Sequence, residues 1–195
     1  MEVVIASGNA GKLREFATLL EPLHFTVHSQ AHYGIEPAPE TGCTFVENAL
    51  EKARHASRLS GCAAIADDSG LVVPALGGAP GIYSARYAGA QASDADNNTK
   101  LLDACRNLTD RSAYFYCALV FLRNPEDPAP LIATAAWHGT LLEAPQGDNG
   151  FGYDPLFWVD AQGATSAQLA PELKNQLSHR GQATRALLAQ LHDSV

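Results

Sequence analysis

The chain has 195 residues, 46% of them hydrophobic and 17% charged, and a formal net charge of -8. This size and balance fit one soluble globular domain, or one core with a smaller lobe, and exclude a disordered or low-complexity chain. The acidic balance argues against a broad surface for DNA or RNA phosphates, but a few local cations and a metal ion can still hold one nucleotide in an acidic protein.

Met1 runs directly into the apolar Val3-Val4-Ile5-Ala6, which reads as a buried strand entering the turn Ser7-Gly8-Asn9-Ala10-Gly11. No basic n-region or long h-region precedes it, so no secretory signal is expected, and no apolar run has membrane-spanning length. Leu13, Phe16, Ala17 and Leu20 follow at helical spacing, with Pro22 beyond the helix end. A short strand is expected over Phe25 to His28, and residues from Ala31 to Gly42, with two prolines and two glycines, read as loop.

Thr44-Phe45-Val46-Glu47 has the form of a capping box, and Gly61 suits the far end of the helix it opens. Ala63 to Ala66 is a short apolar strand that meets Asp67-Asp68-Ser69-Gly70, after which Leu71-Val72-Val73 resumes the apolar pattern. Ser93 to Asp96 opens a helix reaching about Leu108. Ala113, Phe115, Cys117, Leu119 and Phe121 alternate as a strand, and the turn Asn124 to Pro128 leads into a second one from Leu131 to about Trp137. Glycines gather between Gly147 and Gly152, and the C-terminal part reads as helical, with Ser178 as a cap and Leu187, Leu188 and Leu191 on a buried face. The mixture predicts an α/β protein with a mixed sheet. Cys43, Cys62, Cys105 and Cys117 lack metal-type or dense disulfide spacing, which points to reduced thiols in a cytoplasmic protein.

Five segments could carry chemistry. Ser7 to Lys12, at a strand-to-helix turn, offers backbone N–H groups, a helix N-terminus and one cation to phosphate, or else needs its glycines for steric reasons alone. It is not a Walker loop, because Ala6 and Leu13 stand where that motif needs Gly and Ser or Thr. Asp67 and Asp68 present adjacent carboxylates, suited to a hard cation and a water-activating base, or to local amides in a polar turn. Glu40, in a loop, can approach a metal; Glu47 fits the capping acid, and Lys52 fits a solvated helix charge. Gly150-Phe151-Gly152-Tyr153-Asp154 can press a ring against a nucleobase, or bury Phe151 in the core. Lys174, His179 and Arg180 surround Ser178; they can donate to keto or phosphate oxygens, or lie solvated.

Together, SGNAGKLRE (7–15), ETGCTFVENALEKA (40–53), DDSGL (67–71), GAPGIYSARYAG (78–89), GFGYDPLF (150–157) and KNQLSHRGQA (174–183) span nearly the whole chain. With this set the chain resembles the Ham1-like inosine/xanthosine triphosphate pyrophosphatases, which clear deaminated purine nucleotides. The resemblance implies a single catalytic domain over residues 1–195, with an elongated mixed sheet flanked by helices, two lobes around a central cleft, and a homodimer without nucleic-acid or membrane partners. It implies hydrolysis of ITP, dITP or XTP to the monophosphate and pyrophosphate with Mg²⁺ as cofactor. Ser7, Gly8, Asn9, Ala10, Gly11 and Lys12 would hold the triphosphate. Asp68 would be the catalytic acceptor and a Mg²⁺ ligand, with Glu40 as the second. Ser69 would touch the nucleotide, and Phe151, Gly152, Tyr153, Asp154, Lys174, His179 and Arg180 would form the base pocket. Two rivals are a Maf-like pyrophosphatase of modified pyrimidine or methylated nucleotides and a nucleotide sensor that does not hydrolyse. The SHR segment and the FGYD loop favour the purine enzyme over the first, and Lys12, Glu40, Asp67 and Asp68 argue against the second.

Overall fold

The computed structural model describes residues 1–7, 13, 16, 20 and 25–193. Among the described residues, seven strands form one sheet in the order β2-β1-β3-β4-β5-β6-β7: β1 Glu2–Ile5, β2 Thr26–Ser29, β3 Ala63–Val72, β4 Ser112–Leu122, β5 Leu131–Leu141, β6 Phe157–Val159 and β7 Ala164–Thr165. β1 runs parallel to both β2 and β3, with Val3 opposite Val27 and Ala63, whereas β6 is antiparallel to β5 and β7. The sheet is therefore mixed, as the alternation of strand and helix signals predicts. Four helices can be labelled: α1 Phe45–Ser60, α2 Asp94–Ala104, α3 Pro171–Leu177 and α4 His179–Asp193.

The chain divides into two compact units, one of Met1–Asp68, Cys117–Thr134 and Ala183–Val195, the other of Ser69–Tyr116 and Ala135–Gln182. In the first, Val3, Val4 and Ile5 of β1 and Ala63 to Ala66 of β3 are buried, as near-continuous apolar parallel strands must be when both faces are covered. Phe16 and Leu20, two of the predicted helical positions, are helical and buried. α1 buries Ala49, Ala53 and Ala56. That stripe of methyl groups at helical spacing brings its backbone close to β1, which it contacts. Thr44 caps it by accepting from Glu47 N, and Gly61 ends it at φ +72°, as the sequence predicts.

The core of the second unit joins Leu71, Val73, Leu101, Phe115, Trp137, Tyr153, Leu156 and Phe157. Phe115 and Phe157 lie 4.7 Å apart, and Trp137 and Phe157 5.2 Å apart, between ring centroids. α2 starts at a full capping box between Ser93 and Asp96 and ends at Ala104, several residues before the expected Leu108. Leu108 sits beyond it, bonded through its amide to Cys105 O. The strand read over Ala63 to Ala66 does not end at Asp67-Asp68-Ser69-Gly70. β3 is continuous through this run, from Ala63 to Val72; β1 pairs with it over Ala63 to Ile65, and β4 is its neighbour on the other side.

Candidate functional site

In the first unit, four side chains meet where α1 packs on the sheet. Asn48 and Lys52 are four residues apart on α1 and so share one helix face. Asn48 Nδ2 donates to Asp68 Oδ2 at 3.2 Å, and Lys52 Nζ donates to Asp68 Oδ1 at 3.0 Å. The same ammonium donates to Glu40 Oε1, also at 3.0 Å. One cation thus ties a loop carboxylate to a strand carboxylate. Asn48 is itself aimed from the other side, because Gly42 N donates to its Oδ1 at 2.9 Å. A Cβ on Gly42 would lie 2.8 Å from that oxygen and 2.6 Å from Glu47 Cβ, so this approach requires glycine.

Asp68 is only 8% exposed. Burial pushes its pKa above the usual carboxylate value, and the Lys52 charge and the bonds from Lys52 and Asn48 offset this only in part. Burial also acts to lower the pKa of Lys52, but the charges of Asp68, Asp67 and Glu40 outweigh it and hold the ammonium above its ordinary value. Lys52 therefore stays charged at neutral pH while Asp68 is poised as an acceptor that takes a proton more readily than a solvated aspartate. Asp67, its neighbour on β3, is buried as well, and strand alternation turns it to the opposite face.

Glu47 belongs to the cap. It accepts from Thr44 Oγ1 and Cys43 N, each at 2.9 Å, and these bonds, the hydroxyl first, hold its pKa below the usual value. Lys52, read from sequence as a solvated charge, is instead the centre of the cluster. The signal that could have placed it was its spacing of four from Asn48, but nothing local identifies Asp68 as their shared partner. Ser7 is described, with its amide on Ile5 O at 2.9 Å. Gly8, Asn9, Ala10, Gly11 and Lys12 lie outside the described residues.

The second unit holds the remaining predicted residues. Asp154 is buried and organises the glycine-rich loop: it accepts from Phe151 N at 2.8 Å, from Ser166 Oγ at 2.8 Å and from Lys174 Nζ. Gly150 has φ +83°, and a Cβ there would stand 2.2 Å from Asp154 Oδ2 and 2.9 Å from Lys174 Nζ. Phe151 is 58% exposed, and Lys174 Nζ lies 5.3 Å from its ring centroid. This arrangement leaves a large aromatic ring exposed on a fixed loop, with the largely buried Lys174 ammonium beside it, although burying such a ring is ordinarily favourable. Ser166 was absent from the sequence reading, since an isolated serine carries no pattern.

Tyr153 differs from its neighbours. It is buried in the aromatic core and its hydroxyl donates to Ser84 O at 2.8 Å, so it anchors the loop from below. Burial, first, drives its phenol pKa up, and it remains neutral. His179 is also buried, stacked on Phe115 at 4.9 Å and 13° between rings. Arg180 Nη2 donates to Ser69 Oγ at 3.0 Å, bringing together two predicted nucleotide contacts 111 residues apart. Ser178 accepts from Gly181 N through its Oγ and so caps α4, as expected.

Among the described residues, no group of three or more His, Cys, Asp or Glu side chains is placed to hold a metal ion. Glu40 and Asp68 form a two-carboxylate set, which is the size of set magnesium takes when substrate phosphates complete its shell. A bond to Lys52 does not exhaust either carboxylate, because each oxygen accepts at more than one position.

Comparison with known proteins agrees along the whole chain. The profile of the Ham1 family matches residues 3–190. The chain is 53% identical over 195 residues to a dITP/XTP pyrophosphatase of Yersinia pestis, with 99% of each chain covered. It is 52% identical over 194 residues to a dITP/XTP pyrophosphatase of Vibrio cholerae, covering 98% of this chain and 97% of that one. Among solved structures, a HAM1 protein from Coxiella burnetii matches with a TM-score of 0.96 at 46% identity over 99% of both chains. The Ham1 protein of Staphylococcus aureus matches with a TM-score of 0.93 at 41% identity over the full length of both. Sharing this fold and about half its residues with such relatives from end to end, the chain belongs to the Ham1 family.

Proposed function

We propose that this protein hydrolyses non-standard purine nucleoside triphosphates, ITP, dITP and XTP, to the nucleoside monophosphate and pyrophosphate, in a magnesium-dependent reaction. The observation that carries the reading is the buried Asp68, held by Lys52 and Asn48 beside Glu40, in a chain that matches dITP/XTP pyrophosphatases over its full length.

In this mechanism Asp68 accepts a proton from water as the water oxygen bonds to the α-phosphorus. The bond from that phosphorus to the bridging oxygen breaks, and the electron pair leaves with pyrophosphate. Lys52 and Asn48 fix both oxygens of Asp68, so its geometry is set before substrate arrives. Burial raises its pKa, which makes it a better base than a solvated aspartate. Glu40 and Asp68 would hold the magnesium ion, which when bound supplies charge neutralisation at the phosphate oxygens.

Purine selection is assigned to the second unit's residues. The exposed face of Phe151 stacks on the base, while Lys174 and Arg180 supply donors for a 6-keto oxygen. Adenine presents an amino group there and would leave such a donor unpaired, at about 1–3 kcal/mol each. No helix among the described residues is long and apolar enough to cross a membrane. We read the protein as a cytoplasmic homodimer, which light scattering at twice the chain mass would support.

Hydrolysis of ITP in water enriched in heavy oxygen tests the reaction. The label is expected in the monophosphate, as attack on the α-phosphorus requires. Label in pyrophosphate, or release of orthophosphate, would overturn the mechanism.

A further inference from the structure

The peptide of Gly152 is gripped on both sides by one helix. Gly152 N donates to Asp94 Oδ2 at 2.6 Å, and Gly152 O accepts from Asn98 Nδ2 at 2.8 Å. Asp94 and Asn98 are four residues apart on α2 and so share a face. We infer that Asp94 and Asn98 are positioning residues for base selection, setting the place of the Phe151 ring and of Asp154 by clamping Gly152, next to the ring. The inference rests on the reading that the Phe151–Asp154 loop meets the nucleobase.

Three features favour a dedicated clamp over incidental contact. Gly152 sits at φ +61°, and a Cβ there would meet nothing within 4 Å, so the side on which a side chain would stand is open, while its N–H and C=O are both hydrogen-bonded to α2. Asn98 turns its Nδ2 to Gly152 and leaves its Oδ1 buried with no hydrogen-bond partner among the described residues, a cost that the bond to the loop must offset. The helix is itself fixed. Asn97, next to Asn98, accepts from Ala88 N at 2.8 Å and donates to Ala85 O at 3.3 Å. Tyr153 donates to Ser84 O in that same segment. The loop is thus referenced to α2 twice, directly through Gly152 and indirectly through Tyr153. Only the direct link acts next to the exposed ring.

The test compares the full-length wild type with Asp94→Ala, Asn98→Ala and the conservative Asp94→Asn, which retains an oxygen acceptor. ITP and ATP hydrolysis are measured with Mg²⁺, and amide hydrogen exchange is followed at Gly152. Each alanine variant is expected to raise KM for ITP about tenfold and to narrow the ITP-over-ATP preference by a similar factor, as loss of one hydrogen bond to the loop predicts. Turnover at saturation should stay within about twofold, because the clamp touches no reacting atom. Gly152 protection should fall in Asp94→Ala, and Asp94→Asn should recover both protection and preference.

Wild-type KM and preference in both alanine variants would overturn the clamp while leaving the base-loop reading intact. An equal loss of turnover on both nucleotides, with preference unchanged, would also overturn it, since that pattern marks general damage to the fold. Should Asp94→Ala not fold, Asn98→Ala carries the same decision, because it removes the other half of the grip without disturbing the helix cap. A wild type that does not discriminate the two bases would instead defeat the base-loop reading, and the clamp's role in selection with it.

Discussion

Gly150→Ala should cripple base recognition, whereas Gly152→Ala, two residues away in the same loop, should be mild. Both glycines have positive φ, +83° and +61°, so both substitutions carry a backbone cost of about 1–2 kcal/mol. The positions differ in what the new methyl group meets. At 152 it meets nothing within 4 Å, but at 150 it would stand 2.2 Å from Asp154 Oδ2 and 2.9 Å from Lys174 Nζ. Asp154 cannot retreat freely, because Ser166 Oγ and Phe151 N hold it, both at 2.8 Å. The clash therefore falls on the Asp154–Lys174 pair, and separating a buried carboxylate from its partner costs about 1–3 kcal/mol more. In kcat/KM for ITP that difference is about tenfold to a hundredfold between the two variants. Steady-state pyrophosphate release, with circular dichroism to confirm folding, measures it. Equal effects of the two substitutions would refute the assignment of Asp154 and Lys174 to substrate recognition.

Asp68→Asn should lower turnover by about 10²–10⁴ while leaving nucleotide binding measurable by calorimetry, as removal of a general base does. Undiminished turnover would remove Asp68 from the chemistry. Asn48→Ala deletes a donor that lowers the pKa of Asp68, so in metal-free protein the Asp68 carboxyl should titrate higher still than its already raised value. Carboxyl-carbon NMR can follow it, and a downward move would contradict the hydrogen-bond assignment. Asp127 behaves in the opposite way. Burial opposes its ionisation, but Arg123 N, Ala129 N and the Arg123 guanidinium outweigh it and hold its pKa below the ordinary 3.8. Its stabilisation is therefore present above the unfolded-state value and lost as pH falls through the folded one. Asp127→Ala should cost about 1–3 kcal/mol in urea unfolding at neutral pH, and the gap from wild type should shrink in strong acid; a gap that widened there would contradict the assignment.

The elements legible in the sequence are those fixed by local physics. Thr44, Glu47 and Gly61 delimit α1 because caps satisfy backbone groups within a few residues, and the alternation from Ala113 to Phe121 survives as β4. The polar run from Asp67 to Gly70 reads as the end of a strand because it carries no apolar pattern, yet β3 extends through it to Val72. The same limit applies to the site. Asp68, Glu40, Asp154 and Lys174 stand out within motifs, yet Lys52 joins Glu40 and Asp68 only because α1 packs over β1, across 12 and 16 residues of chain. Tyr153 and His179 were grouped with the base pocket by their motifs. The structure buries both, one on Ser84 O and the other on the Phe115 ring.

The central claim is tested most directly by pyrophosphate release from ITP, XTP, ATP and GTP at equal concentration, with Mg²⁺ present. The account predicts rapid release from ITP and XTP and slow release from ATP and GTP. Equal turnover of all four would contradict the base-reading role, and nucleotide binding without release from any would contradict the enzyme itself.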